Sequence, residues 1–254
     1  MTYLGEDIIE AGEFLNGEEV WATYASAQEA LQDTFQPSGT DYIIHVMGDR
    51  QREEYLNMFR TGDFRHAATM RTSYAKWEYW VERANWFFYQ ELYENWHPVF
   101  ANEYELYWEW NSAGEDNVVT TDADVQIERL DKATAVLSVH TDESANRIAD
   151  VWIDYEVFKG EESDWRRQVM LEPMLHVENT GYVTAEDGWF YESNNLRSVG
   201  SEFIPIPIQN GYGEVTLSGL PFDNVGLEIW DVRCDRVFAD LTADYRVVED
   251  ENDN

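Results

Sequence analysis

The chain has 254 residues, of which 44% are hydrophobic and 15% aromatic. That is enough apolar surface for a substantial core and excludes wholesale disorder. Fifty-one acidic residues face 17 basic ones, a net charge of −34, so no basic patch exists to release counterions from DNA or RNA and direct nucleic-acid binding is excluded.

In chain order, Thr23 to Leu31 suits a short helix, ended by the turn signal Gln36-Pro37-Ser38-Gly39. Tyr42 to Met47 is a short apolar run predicted as a buried strand, bounded by Gly48-Asp49. Arg52 to Phe59 reads as another short helix. From Met70 to Trp96, the residues Trp77, Trp80, Val81, Ala84, Phe87, Phe88, Leu92 and Trp96 recur at three-to-four spacing, with Glu78, Glu82 and Asn85 on the other side. This predicts one long helix stopped at His97-Pro98, because a residue before proline avoids helical geometry.

From about residue 103 the hydrophobic period changes to two. Tyr104, Leu106, Trp108 and Trp110 alternate mostly with acids, Val125 and Ile127 with Asp124, Gln126 and Glu128, and Val151, Ile153, Tyr155 and Val157 line one face with Asp154 and Glu156 opposite. Further strands are predicted near 134–140, 168–177, 181–191, 202–209, 213–218, 225–233 and 236–248, with turns at Ser112-Ala113-Gly114 and Asn210-Gly211. About ten short strands at this spacing predict an antiparallel sandwich or barrel. The expected layout is a helical N-terminal arm over 1–102, one β sandwich over 103–248 and an acidic tail over 249–254. In FIPIPI, Ile204, Ile206 and Ile208 share one side while Pro205 and Pro207, lacking a ladder donor, require a sheet edge or a protein–protein seam.

No apolar run reaches the ~18 residues of a membrane span, and MTYLGEDIIEAGEF lacks the basic start and apolar core of a secretory signal. The single cysteine, Cys234, excludes an internal disulfide and a multi-cysteine zinc site. Nucleotide-binding glycine loops, a helical metalloprotease motif and a serine elbow are all absent, and His45, His66, His97, His140 and His176 are scattered. The carboxylate pairs Asp122/Asp124, Asp142/Glu143, Asp150/Asp154 and Glu186/Asp187 read as solvated surface, since about ten such pairs arise by chance at this acid content. His176 and Cys234 read as packing residues. No catalytic residue and no cofactor site is expected; whether a metal binds stays open.

The charge itself points to a setting. Only Lys76, Lys132 and Lys159 are lysines, and the acids are spread along the chain. Area scaling gives a folded surface of roughly 11,600 Å² for this mass. Excess charges then lie roughly 18 Å apart, so repulsion is weak at physiological salt and weaker still at molar salt. Acid excess with so few lysines resembles the proteome style of extreme halophiles.

With a helical region followed by short strands, and above all the run EFIPIPIQNGYGEVTLSGLPFDNVGLEIWDVR, the chain resembles the jelly-roll capsid, turret and tail-associated structural proteins of haloarchaeal viruses. The resemblance spans about 60% of the chain and is architectural. It implies a non-enzymatic virion component, assembled in the host cytoplasm from copies of itself and other virion proteins. On this reading Trp77, Trp80, Phe88, Trp96, Ile204, Ile206 and Ile208 form the assembly interface. The alternatives are a carbohydrate-binding β-sandwich module or adhesin, whose tryptophans would stack on sugars, and a hydrolase built on a carboxylate pair.

Overall fold

The computed structural model describes residues 3–24, 42–72, 74–75, 77–112, 117–120, 123–142, 144–160, 173–179, 193–220 and 225–245. The chain is mostly β and divides into two compact units: Met1–Asp116 with Leu241–Asn254, and Asn117–Asp240. Each has its own sheets and core, so the expected division at residue 102 moves to residue 116.

Unit 1 is built on a four-stranded sheet in the order β1-β2-β4-β3, from β1 (Val20–Ala22), β2 (His66–Met70), β3 (Trp96–Ala101) and β4 (Glu105–Trp110). β1 runs parallel to β2, and the other pairs are antiparallel. Helix α1 (Tyr3–Leu15) packs Ala11 and Leu15 against Val20, Ala22, Ala68 and Tyr107 on one face. On the other face, Trp21 of β1 meets Tyr55 and Phe59 of helix α2 (Asp49–Thr61). Helices α3 (Glu78–Ala84) and α4 (Trp86–Asn95) follow. Helices cover both faces, so β4 buries Leu106, Tyr107 and Trp108 in succession. The Tyr104–Trp110 alternation therefore belongs to a strand, as expected, but not to a sandwich strand.

Three expectations for this region need correction. The run at Tyr42–Met47 is a single 3-10 turn, Ile43–His45, that buries Ile43 and Val46. The long helix is two helices broken at Asn85, whose φ of −118° and ψ of 33° leave the helical region; it begins only at Glu78 and ends before Trp96, which opens β3. Glu78 and Asn85 are buried, not on the solvent side. Arg52–Phe59 is helical as expected; from the Thr23–Leu31 helix, residues 25–31 lie outside the described residues, as do Ala113-Gly114 and 181–191.

Unit 2 is an antiparallel sandwich of nine described strands: β5 (Val118–Thr120), β6 (Asp124–Arg129), β7 (Thr134–His140), β8 (Arg147–Lys159), β9 (Met174–Asn179), β10 (Ser193–Leu196), β11 (Val199–Ile208), β12 (Tyr212–Leu220) and β13 (Val225–Ala239). The sheets read β10-β9-β12-β7-β6 and β11-β8-β13-β5. The chain wraps in nested antiparallel pairs, β5 with β13, β7 with β12, β8 with β11 and β9 with β10, which is the order of a jelly roll with β6 added at one edge.

Inward residues of both sheets form an almost wholly aliphatic core, including Leu137, Val151, Ile153, Val177, Val215, Leu217 and Leu227. Val151, Ile153, Tyr155 and Val157 alternate with outward residues as the period predicts. The strands predicted at 225–233 and 236–248 are one strand, β13, with two register shifts, and residues after Asp240 leave the sandwich. The β11–β12 turn places Asn210 and Gly211 at φ of 53° and 80°, as a two-residue hairpin turn requires. β11 pairs only with β8, so the proline-bearing strand is an edge strand. The unit's ends also meet, Ala239 N donating to Asn117 O at 3.1 Å.

Candidate functional site

The structure scatters the seven predicted interface residues. Ile204, Ile206 and Ile208 are core residues of the sandwich, at 2%, 0% and 0% exposure. Their own domain covers them, so they need no neighbouring subunit. Phe88 and Trp96 are likewise interior: each packs on Phe59, at ring distances of 4.9 and 5.0 Å. Trp80 is half-buried, and only Trp77 is exposed, at 46%. The helical stripe is a core stripe.

The exposed apolar residues of unit 2 lie elsewhere: Val119, Ile127, Leu130 and Tyr212, and, on one outer sheet face, Phe158, Val199 and Trp230. Register maps the outer face of the β11-β8-β13 sheet row by row: Phe203, Trp152 and Arg233; then Ser201, Asp154 and Asp231; then Val199, Glu156 and Glu228; then Phe158 beside Gly226. Trp230 is the extra residue of a bulge between Ile229 and Asp231, a device that re-aims a side chain. Trp230, Val199 and Phe158 are 59%, 50% and 38% exposed within these neighbouring rows. The Phe158 ring lies across β13, where only glycine at 226 leaves room for it: a Cβ there would come within 2.3 Å of the ring.

Farther along the same face, Arg233 stacks over Trp152 and Arg236 over Phe203, at 5.1 and 5.7 Å. Arg233 is also paired with Asp231 and Asp235, and Arg236 holds the buried Asp150 at 2.7 Å. Asp150 of the Asp150/Asp154 pair is therefore an internal ion-pair partner and not solvated surface. Asp122, Glu143, Glu186 and Asp187 lie outside the described residues.

A second constellation lies inside unit 1. Thr69, Arg71, Glu78, Glu82, Tyr89, Trp108 and Thr242 line a small cavity with room for about one water. The Tyr89 hydroxyl donates to Glu78 Oε1, and Tyr24 lies against the same carboxyl. Glu78 Oε2 is buried with no hydrogen-bond partner. Burial, reinforced by the charge of Glu82, holds the Glu78 carboxyl well above the usual carboxylate range despite the Tyr89 hydrogen bond. Burial first, and Glu78 second, raise the Tyr89 and Tyr24 phenols as well. Across the cavity Arg71 donates to Tyr245 O and Asn102 O, and burial lowers its pKa. This arrangement can hold a proton; it has no room for an organic substrate.

Neither constellation was legible in advance. Glu78 sits between Trp77 and Tyr79 with nothing in the spacing to mark it as buried. Trp230 carried a signal, the adjacent apolar pair Ile229-Trp230 inside an alternating strand, which is how a bulge reads in sequence. His176 is half-buried, its Nδ1 2.8 Å from Asn195 Oδ1, and Cys234 is buried, its thiol donating to Arg236 O at 3.2 Å. Among the described residues, no group of three or more His, Cys, Asp or Glu side chains is placed to hold a metal ion, and no helix is long and apolar enough to cross a membrane. Comparison of the chain with protein-family models, curated proteins and solved structures finds no match.

Proposed function

We propose that the chain is a non-enzymatic building block that assembles with copies of itself at high salt, as a capsid or attached component of the virion of a haloarchaeal virus. The observation that carries this reading is the grouping of Trp230, Val199 and Phe158 on one outer sheet face of a strongly acidic protein. These residues are interspersed with Glu156 and Glu228 on that face, and exposed apolar residues rimmed by charge mark association surfaces. The jelly-roll order supports the setting by analogy, since capsid domains use it, although lectin domains do as well. The acid-rich, lysine-poor composition supports a halophilic host. In dilute buffer, subunits of −34 repel one another, and screening removes that obstacle.

Sedimentation across protein concentration, at about 0.1 M and about 2 M NaCl, tests the reading. Assembly should grow with salt, and Trp230→Ser should weaken it without changing far-UV circular dichroism. A strict monomer at every concentration in molar salt would overturn self-assembly. The lectin reading keeps one observation in its favour, the aromatic pair Trp152 and Phe203 on the same face, 4.8 Å apart. Quenching of tryptophan fluorescence by a panel of sugars would favour it.

A further inference from the structure

The register of β11 on β8 fixes which way its backbone points. Val157 N donates to Ser198 O at 2.6 Å, so the even-numbered residues of β11 make the bonds to β8. In an antiparallel ladder such pairs alternate with unbonded ones, whose N–H and C=O groups point away. Val199, Ser201, Phe203, Pro205 and Pro207 are therefore turned to the outer edge, where no described strand pairs with them. Proline removes the donor at the last two positions, which leaves an open run of N–H groups at Val199, Ser201 and Phe203. The other edges of unit 2 are shorter or charged: β5 and β10 have three and four residues, and β6 carries Asp124 and Glu128. Long edges are ordinarily blunted by charge. In a chain where about one residue in five is acidic, the ten residues of β11 include one acid, Glu202, which Arg197 holds at 3.0 Å.

We infer that this open stretch pairs with the same stretch of a second copy, antiparallel about a two-fold axis at Ser201, joining the two β11-β8-β13-β5 sheets into one. The inference deepens the self-assembly reading and rests on it. A two-fold interface must be self-complementary, and this strand is so in one register. With Ser201 opposite Ser201 of the second copy, Val199 falls opposite Phe203, and each open N–H and C=O finds a partner across the seam. Sliding the ladder one way brings in Pro205, whose ring replaces a donor, and sets Glu202 directly against Glu202. Sliding it the other way leaves Phe203 with no β11 residue opposite. On the outer face, Val199, which is 50% exposed, and Phe203 make an apolar cross-strand pair. On the inner face, Gly200 falls opposite Glu202 of the second copy, in the closer, unbonded kind of pair. Arg197 lies over Gly200, where a Cβ would come within 2.8 Å of its Nε. Each Arg197 thus stands between its own Glu202 and that of the second copy, so the acids at the seam share cations instead of repelling. Trp230, on β13, lies two strands from this seam.

Variants of the full chain test the seam at about 2 M NaCl, where repulsion is screened. Ser201→Pro removes the central donor without costing β8 a bond, because that N–H points away, as the ring nitrogens of Pro205 and Pro207 do. Sedimentation should show pairing weakened at least roughly tenfold, with far-UV circular dichroism unchanged. Oxidative cross-linking reads the register, and decides alone if Ser201→Pro does not fold; the native Cys234 is buried. In Ser201→Cys the paired Cα atoms stand about 5.5 Å apart, within disulfide reach. In Val199→Cys, or in Phe203→Cys, they stand roughly 14 Å apart, out of reach. Mixing Val199→Cys with Phe203→Cys chains restores the match. The expected result is a covalent dimer from Ser201→Cys and from the mixture, and far less from either of the other variants alone. Equal cross-linking of Ser201→Cys and Val199→Cys, with assembly intact in Ser201→Pro, would overturn the seam and leave self-assembly through the Trp230 face standing. A species that stops at two copies and is lost in Ser201→Pro supports the seam and overturns the larger assembly. A monomer throughout, with no preference for Ser201→Cys, overturns both.

Discussion

Unit 2 is held by aliphatic side chains between two sheets, and Tyr155 is the one aromatic ring in its described core cluster. Unit 1 is held by rings: Trp21, Tyr55, Phe59, Phe88 and Trp96 interlock at centroid distances of 4.9 to 5.6 Å. The difference extends to their polar groups. Trp21 Nε1 donates to Tyr55 Oη, and Trp108 Nε1 to Thr69 Oγ1, because buried rings with polar handles need partners. An interior rich in such handles tolerates a buried glutamate. A sandwich of valine, leucine and isoleucine has no polar group to spare, and the one buried acid among its described residues, Asp150, lies on the outward side of β8 with an arginine attached.

The sharpest way to break the comparison is a charge in the dry core. Ile206→Asp should abolish the sandwich rather than merely weaken association, since Ile206 is fully buried in the unit 2 cluster. Circular dichroism and limited proteolysis would show it, and a variant that melts like the wild type would contradict the core assignment.

A smaller effect compares the two buried ion pairs. Arg236→Ala strands Asp150 and should cost about 3–5 kcal/mol. Arg60→Ala should cost less, about 1–2 kcal/mol, because Arg60 is already 54% exposed and Asn95 still serves Glu91. Denaturant melts of the two variants give the order, and a reversal would mean that the polar interior of unit 1 is less forgiving than its networks imply.

The smallest effect concerns Cys234, whose thiol burial pushes up to about 11. With the folded value above the unfolded one, the unfolded chain ionises first. Stability is therefore fully present below about pH 8.5 and falls as pH rises toward 11. Cys234→Ser should flatten that slope, and iodoacetamide at about pH 8.5 should react at least roughly tenfold faster with unfolded than with folded protein. Equal rates would place the thiol at the surface.

The same contrast explains what was legible in the sequence. Where one side of a strand meets the core and the other meets solvent, period two survives in the residues: Val151, Ile153, Tyr155 and Val157 gave the sandwich, and Pro205 and Pro207 gave its edge. In unit 1 helices cover both faces of the sheet, so neither period is clean, and an aromatic stripe broken at Asn85 passed for one continuous helix. The jelly-roll order was readable only as a resemblance, because which strands pair depends on contacts between residues more than a hundred positions apart, such as Thr120 with Val237. The candidate sites were less legible still. Burial of Glu78 and exposure of Trp230 are decided by a helix break and a bulge, each of which turns a single residue against the local pattern.

One feature of the chain path bears on synthesis. The sandwich is an insertion: its ends meet at the Ala239–Asn117 hydrogen bond, and unit 1 resumes at Leu241. Translation therefore completes the inserted domain before it completes its host. Until Tyr245 has left the ribosome, Arg71 lacks the carbonyl that it bonds in the finished fold, and Tyr93 lacks Thr242. The jelly roll, despite its long-range pairings, can close as a self-contained loop while the domain that began first waits. The nascent host is then an aromatic-rich intermediate with its last turn unfilled, and the interval that it must survive is set by how fast the intervening residues are synthesised.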